Sequence, residues 1–184
     1  MDDFNHFLKD LSTDRRNIKI KEFCLEFLEF QPINKYQEEV LNKVLFTDGN
    51  ILLLQSRQIG ISSIFRALSY AYNKIGLKSE HYIPHHRPYI EPNNSDILFI
   101  DGLSYFLNDS NNIEKIINEK CRIISSSFAD ENIRDMFFKR TNTPFKFDEC
   151  FRLRNININT EWEGIMGETA YRKEYSLLFK GEKL

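Results

Sequence analysis

The chain has 184 residues, 41 % of them apolar and 14 % aromatic, which suits one domain with an ordinary core and excludes a disordered chain. The formal charge of −2 excludes a protein held on nucleic acid by its overall field, so a DNA contact would need a local patch or partner subunits. Three scattered cysteines (Cys24, Cys121, Cys150) without a CxxC pair fit a reducing cytoplasm better than a disulfide framework or a zinc site. The acidic start MDDFNHFLKD is not a signal peptide, and no apolar run approaches a membrane span, so the expected location is the cytoplasm.

Phe4, Phe7, Leu8 and Leu11 are spaced for one helical face, and Phe23, Cys24, Phe27 and Leu28 form a second stripe, giving a helical segment over residues 1–30. Pro32 breaks the chain. Val40, Leu41, Val44 and Leu45 mark a helix from Lys35 to Phe46, and Asp48-Gly49 signals a turn. Ile51-Leu52-Leu53-Leu54 is a short, continuous apolar run, as a buried parallel strand requires. A helix is predicted from Ser62 to Ile75, and residues 76–95, rich in Pro, Asn and His, read mostly as loop. Asp96 to Asp101 is a second apolar strand ending in an acid, and Arg122-Ile123-Ile124-Ser125 is a third. Helices are expected at 113–119, Ile133–Arg140 and Glu168–Phe179, with a strand over Phe151–Ile158. Strands alternating with helices predict an α/β fold: a mainly parallel sheet with helices on both faces, its strands at 51–54, 97–100 and 122–125 side by side.

Strand, tight loop and helix meet at Leu54-Gln55-Ser56-Arg57-Gln58-Ile59-Gly60-Ile61-Ser62-Ser63. A P-loop wraps backbone N–H groups around phosphates and adds the positive end of a helix. Gly60 would permit the close approach, and Ser62 stands where a hydroxyl holds Mg²⁺. The Lys expected after the glycine is Ile61, and the first glycine of the motif is Gln55. On this segment alone, an ordinary strand–turn–helix corner fits equally well. Asp101, ending the neighbouring apolar strand, is placed like the acid that holds Mg²⁺ in P-loop enzymes, although such acids also serve as plain helix caps. The next residue, usually a Glu that orients the attacking water, is Gly102.

Four pieces, in order, resemble the ATPase domain of the large terminase subunit, the DNA-packaging motor of tailed phages. Lys35-Tyr36-Gln37 before an amphipathic helix is similar to its adenine-side motif. Ser56-Arg57-Gln58-Ile59-Gly60-Ile61-Ser62 is similar to its variant Walker A, in which "RQ" precedes the glycine. Ile97 to Asp101 resembles its Walker B strand, and Ile123 to Ser127 its coupling motif. A fifth piece, Gly167 to Tyr175 and on to Phe179, looks like the helix that closes the domain.

The resemblance covers residues 31–184 and implies a P-loop fold that binds ATP and Mg²⁺. It assigns Tyr36 and Gln37 to the adenine side and Ser56, Gln58, Gly60, Ser62 and Ser63 to the phosphates. Ser62 and Asp101 would hold the metal, and Arg57 and Asp101 are the candidate catalytic residues. Arg57 would either replace the missing Lys or act as the family's charge-stabilising arginine. The implied partners are portal, nuclease or motor subunits, with no membrane. The chain stops where the family's nuclease domain begins, so DNA cutting is not implied, and the stretch between the two Walker segments is short for the family.

His81, His85 and His86 lie near Pro84 and Pro88 and read as an exposed loop without the fourth ligand and rigid frame that a metal site needs. Arg15, Arg16, Lys19 and Lys21 read as a solvated helix face. Ser125 to Ser127 lack the GxSxG elbow of a nucleophile. Three functions fit: a packaging ATPase module, a non-catalytic terminase-like protein that binds and regulates a partner, or another P-loop activity such as a helicase-like or defence ATPase. Replacement of the Walker A Lys by Ile61 and of the Walker B Glu by Gly102 favours binding over efficient hydrolysis.

Overall fold

The computed structural model describes residues 13–27, 35–56, 59–83, 94–105, 121–130, 133, 147–153 and 177. Helix α1 (Thr13–Phe27) and helix α2 (Lys35–Phe46) precede strand β1 (Ile51–Gln55). Helix α3 (Ile61–Lys74), strand β2 (Ser79–Tyr82) and strand β3 (Ile97–Asp101) follow, then a 3-10 turn at Leu103–Tyr105. Strands β4 (Arg122–Ser127) and β5 (Glu149–Leu153) complete the sheet.

The five strands form one parallel sheet in the order β2-β3-β4-β1-β5. The expected neighbours are side by side: Ile51 pairs with Ile124, and Ile97 with Arg122. Alternation then sorts the side chains between two faces. Ile51, Leu53, Ile97, Phe99 and Ile124 pack with Ile20 and Cys24 of α1, Val40, Leu41 and Val44 of α2, and Ile64, Phe65 and Leu68 of α3. Leu52, Leu54, Leu98, Ile100 and Ile123 face the other way and meet Leu103, Ala129, Ile133, Phe147 and Leu177. All three described helices therefore lie on the first face. The helices expected at 113–119 and 168–176, like the Phe4–Leu11 stripe, fall outside the described residues. Of Ile133–Arg140, only Ile133 is described, and it is helical.

The helix expected over Glu168–Phe179 does not run unbroken. Leu177 has φ 54°, in the left-handed region, where a right-handed helix cannot pass. Two further expectations shift. Ser79–Tyr82, read as loop, is an edge strand paired with β3. The strand expected over Phe151–Ile158 is instead Glu149–Leu153, paired with β1 on the opposite edge. No helix among the described residues is long and apolar enough to cross a membrane.

Helix α3 is set by its ends. Gly60 precedes it in the left-handed conformation (φ 80°, ψ 26°). Gly76 (φ 85°) ends it: Gly76 N–H donates to Asn73 O at 3.1 Å and Leu77 N–H to Tyr72 O at 3.1 Å, a Schellman closure. The turn sends the chain straight into β2.

Candidate functional site at the carboxyl edge of the sheet

The strand order fixes where a ligand site can form. From β1 the chain crosses over β4 and β3 by way of α3 to reach β2 at one edge. From β4 it passes β1 to reach β5 at the other. Adjacent strands β4 and β1 thus send the chain in opposite directions, and the crevice beyond their carboxyl ends is a topological switch point, the usual ligand position in open parallel sheets.

One side of that crevice is the β1–α3 loop. Ser56 is buried, and its N–H donates to Leu153 O at 3.1 Å, extending β1. Arg57 and Gln58, two of the predicted phosphate-loop residues, lie outside the described residues. At Gly60 a Cβ would sit 2.8 Å from Gln37 Nε2, so the left-handed turn favours glycine and any side chain there would push the end of Gln37 aside. Gln37 therefore lies against the loop, and Tyr36 beside it is buried in the helical core. Ile61, at the position of the standard lysine, is 4 % exposed and packed in the same core. Gly60 gives α3 no side-chain cap, so the first-turn N–H groups keep their capacity for an anion.

The other side is built by β3 and β4. Ser62, exposed in the first turn of α3, donates its hydroxyl proton to Asp101 Oδ2 at very short range. Ser126 Oγ donates to Asp101 Oδ1 at 2.9 Å and accepts from Gly102 N–H at 3.1 Å. Two residues separated by 39 positions, each chosen from sequence as a metal ligand, thus meet directly. Ser63, half-buried, is next to this contact in the chain and makes none of these bonds. Gly102 is buried with φ 88°, so its backbone is in the region that favours glycine.

A third group comes from β2. His81 Nε2 is 3.9 Å from Asp101 Oδ2, and the two side chains are 10 % and 12 % exposed. Burial pushes the His81 pKa below its ordinary value, the charge of Asp101 pulls it back up, and Arg66 adds to the lowering. The ring stands edge-on to Phe65 with centroids 6.0 Å apart. Its Nε2, like the buried Ser127 Oγ at the end of β4, has no hydrogen-bond partner among the described residues. The sequence reading missed His81 by placing it in a loop. The usable signal was the alternation of Ser79 and His81 with Glu80 and Tyr82 directly after a Gly-terminated helix.

Chemically the cluster offers two carboxylate oxygens, two hydroxyls and one imidazole nitrogen. It is not a nucleophile relay, since Ser62 and Ser126 both donate to Asp101. Nor is a thiolate at hand: burial pushes Cys24 up to about 12 and both Cys121 and Cys150 up to about 11. Among the described residues no three His, Cys, Asp or Glu side chains group as a metal site. A scan against models of known protein families finds no match for this chain, and a search of curated proteins finds none.

Proposed function

We propose that the chain binds a nucleoside triphosphate, ATP in the first instance, with Mg²⁺ at this carboxyl edge, as a terminase-like P-loop module whose turnover is very slow or absent. The observation that carries the reading is the Ser62–Asp101 contact. A hydroxyl from the first turn of the post-loop helix and a carboxylate at the end of another strand of the sheet are the pair that a P-loop protein brings to its metal; the acid's strand is one removed from β1, with β4 between them, rather than its direct neighbour.

The donor set fits the ion. Mg²⁺ takes oxygen ligands and is usually held by one or two carboxylates plus substrate phosphates, and Asp101 with Ser62 supplies one carboxylate and one hydroxyl. A bound Mg²⁺ would supply charge neutralisation on the phosphate oxygens. The protein's own part is to hold the phosphates on N–H groups around Gly60 and at the start of α3, and to fix Asp101 through Ser126.

Slow turnover follows from two positions. Gly102 has no side chain to hold a water in line, and Ile61 turns an apolar side chain into the core where the standard loop offers a cation to the transition state. These same positions favour a second reading, a nucleotide-responsive regulator in the cytoplasm that docks on a portal, nuclease or motor subunit without doing motor work.

The test is calorimetric titration of the purified chain with ATP, with and without Mg²⁺, beside steady-state phosphate release. Mg²⁺-dependent binding with release at background is the expected result. Absence of ATP binding would sink the nucleotide reading, and brisk release abolished by Asp101→Ala would overturn the assignment of Gly102 and Ile61.

A further inference from the structure

His81 is not used by the oxygen pair just described, yet it faces that pair. A buried polar group left without a partner destabilises the fold, and His81 Nε2 is such a group among the described residues. Its side chain is 10 % exposed, so bulk water does not offset that cost. The ring is also fixed in place. Its backbone pairs with Phe99 in the β2–β3 register, and its edge rests on Phe65, which packs against Phe99 with centroids 5.1 Å apart. The nitrogen faces a carboxylate, yet at 3.9 Å it makes no hydrogen bond with it, which leaves space between the two for a third group. Three elements therefore converge on one atom, Asp101 Oδ2: α3 through Ser62, β2 through His81, and β3 through the carboxylate itself.

We propose that Ser62, His81 and Asp101 form a mixed oxygen–nitrogen cation site whose preferred occupant is a divalent first-row transition ion, Mn²⁺ among them, rather than Mg²⁺. The inference rests on the cation role proposed above for Ser62 and Asp101 and adds the nitrogen ligand that decides which cation is favoured. Imidazole suits Zn²⁺, Fe²⁺, Ni²⁺ and Cu²⁺, and even Mn²⁺, the weakest binder of the series and otherwise content with oxygen, takes a nitrogen more readily than Mg²⁺, which keeps to oxygen and holds a strict octahedron. The spacing permits a shared ion: bonds of about 2.1 Å put neighbouring octahedral ligands about 3.0 Å apart and opposite ones about 4.2 Å apart. The 3.9 Å between His81 Nε2 and Asp101 Oδ2 falls between the two, nearer the opposite-ligand distance, so a side-chain shift of about 0.3 Å is needed to reach it. The Ser62–Asp101 hydrogen bond is tighter than two ligands of one ion allow, so Ser62 must draw back as the ion enters; as an exposed residue in the first helical turn, it has room to rotate. With only three protein donors, the remaining positions fall to phosphate oxygens and water.

The test is Mn²⁺ titration of the full chain followed by electron paramagnetic resonance, with and without a non-hydrolysable ATP analogue. Pulsed measurement on the bound ion, in unlabelled and ¹⁵N-histidine protein, reads nitrogen coupling directly. The expected result is a coupling that changes with the label and disappears in His81→Gln. The same variant should lose about tenfold or more in Mn²⁺ affinity, and less than about threefold in Mg²⁺ affinity measured by competition. Bound Mn²⁺ without nitrogen coupling overturns the proposal even if the variant fails to fold, because that measurement needs only the wild-type chain. Equal losses for the two ions also overturn it, as does the absence of Mn²⁺ binding. Triphosphate binding without nitrogen coupling would leave the nucleotide reading standing and end this one. Nitrogen-coupled Mn²⁺ in a chain indifferent to triphosphate would do the reverse.

Discussion

The amino and carboxyl edges of the sheet use their described polar side chains in different ways. At the amino edge, side chains close on the main chain. Arg122 Nε donates to Gly49 O at 2.9 Å, and its Nη2 donates to Val44 O at 2.9 Å and Thr47 O at 2.5 Å. Asn50 Oδ1 accepts from Ile123 N–H at 2.8 Å, and Asp148 Oδ2 accepts from Asn50 N–H at 2.8 Å. These bonds tie the α2–β1 turn to β4 and β5. At the carboxyl edge, side chains close on one another, Ser62 and Ser126 on Asp101, and two buried polar atoms, on His81 and Ser127, remain without partners among the described residues. Polar groups that end on backbone serve the fold. Polar groups that end on each other, with atoms left over, are where a ligand is to be looked for.

The sharpest way to break this contrast is Arg122→Ala. Three carbonyls lose a charged donor at once. Hydrogen bonds to charged groups contribute about 1.5–3 kcal/mol each and do not add fully, so a loss of about 2–4 kcal/mol in urea unfolding is expected. Nucleotide affinity, measured below the lowered melting range, should stay within about twofold, since a factor of two is under 0.5 kcal/mol. A tenfold fall in affinity with little change in stability would mean that the amino edge is not merely structural.

Asp101→Asn is the converse. The amide keeps acceptor oxygen for Ser126 but loses the charge that a cation needs. Mg²⁺-dependent ATP affinity should drop by about tenfold or more, about 1.4 kcal/mol, while urea stability changes by less than about 1 kcal/mol in either direction. A variant that binds ATP and Mg²⁺ as well as wild type would remove Asp101 from the site.

Two left-handed glycines at the ends of α3 give a smaller, paired test. Gly76 (φ 85°) has no atom of the described residues within 4 Å of a built Cβ, whereas Gly60 (φ 80°) meets Gln37 Nε2 at 2.8 Å. Gly76→Ala should cost only the left-handed penalty, about 1–2 kcal/mol. Gly60→Ala should cost that amount, somewhat more for displacing Gln37, and weaken ATP binding as well. Equal stability losses with unchanged ATP affinity would show that the Gln37 contact is incidental.

The parts of this architecture legible in the sequence are those where burial on both faces leaves a continuous apolar run. Ile51–Leu54, Ile97–Ile100 and Ile123–Ile124 announce the three inner strands for that reason. Ser62 and Asp101 could be chosen because each sits at a legible boundary, Ser62 in the first turn of α3 and Asp101 at the end of β3. Strand β2 was misread, and the start of β5 placed two residues late, because edge strands are half-solvated: Ser79–Tyr82 exposes Glu80, and Glu149–Leu153 exposes Glu149 and Arg152. His81 was lost with β2, grouped with His85 and His86 as loop although its side chain is nine-tenths buried beside Asp101. The pattern around Gly102 was half legible: the missing carboxylate shows in the sequence, but the left-handed backbone that makes Gly102→Glu a strained repair does not.

The smallest expected effect is a pH dependence that separates the edges without removing any bond named above. Burial holds the folded His81 pKa below its ordinary value of 6.5, with Arg66 acting in the same direction and Asp101 against it. Below pH 6.5 the unfolded chain then binds more protons at this residue than the folded one, so stability falls as pH falls; above that range the residue contributes no slope. One proton limits the slope to about 1.4 kcal/mol per pH unit. His81→Gln deletes the titration, so between pH 7.5 and 5.5 wild type should lose urea stability relative to the variant. If acidification instead favours wild type, the carboxylate outweighs burial, and His81 is the charged half of an ion pair with Asp101 rather than a neutral imidazole held in reserve at the edge of the sheet.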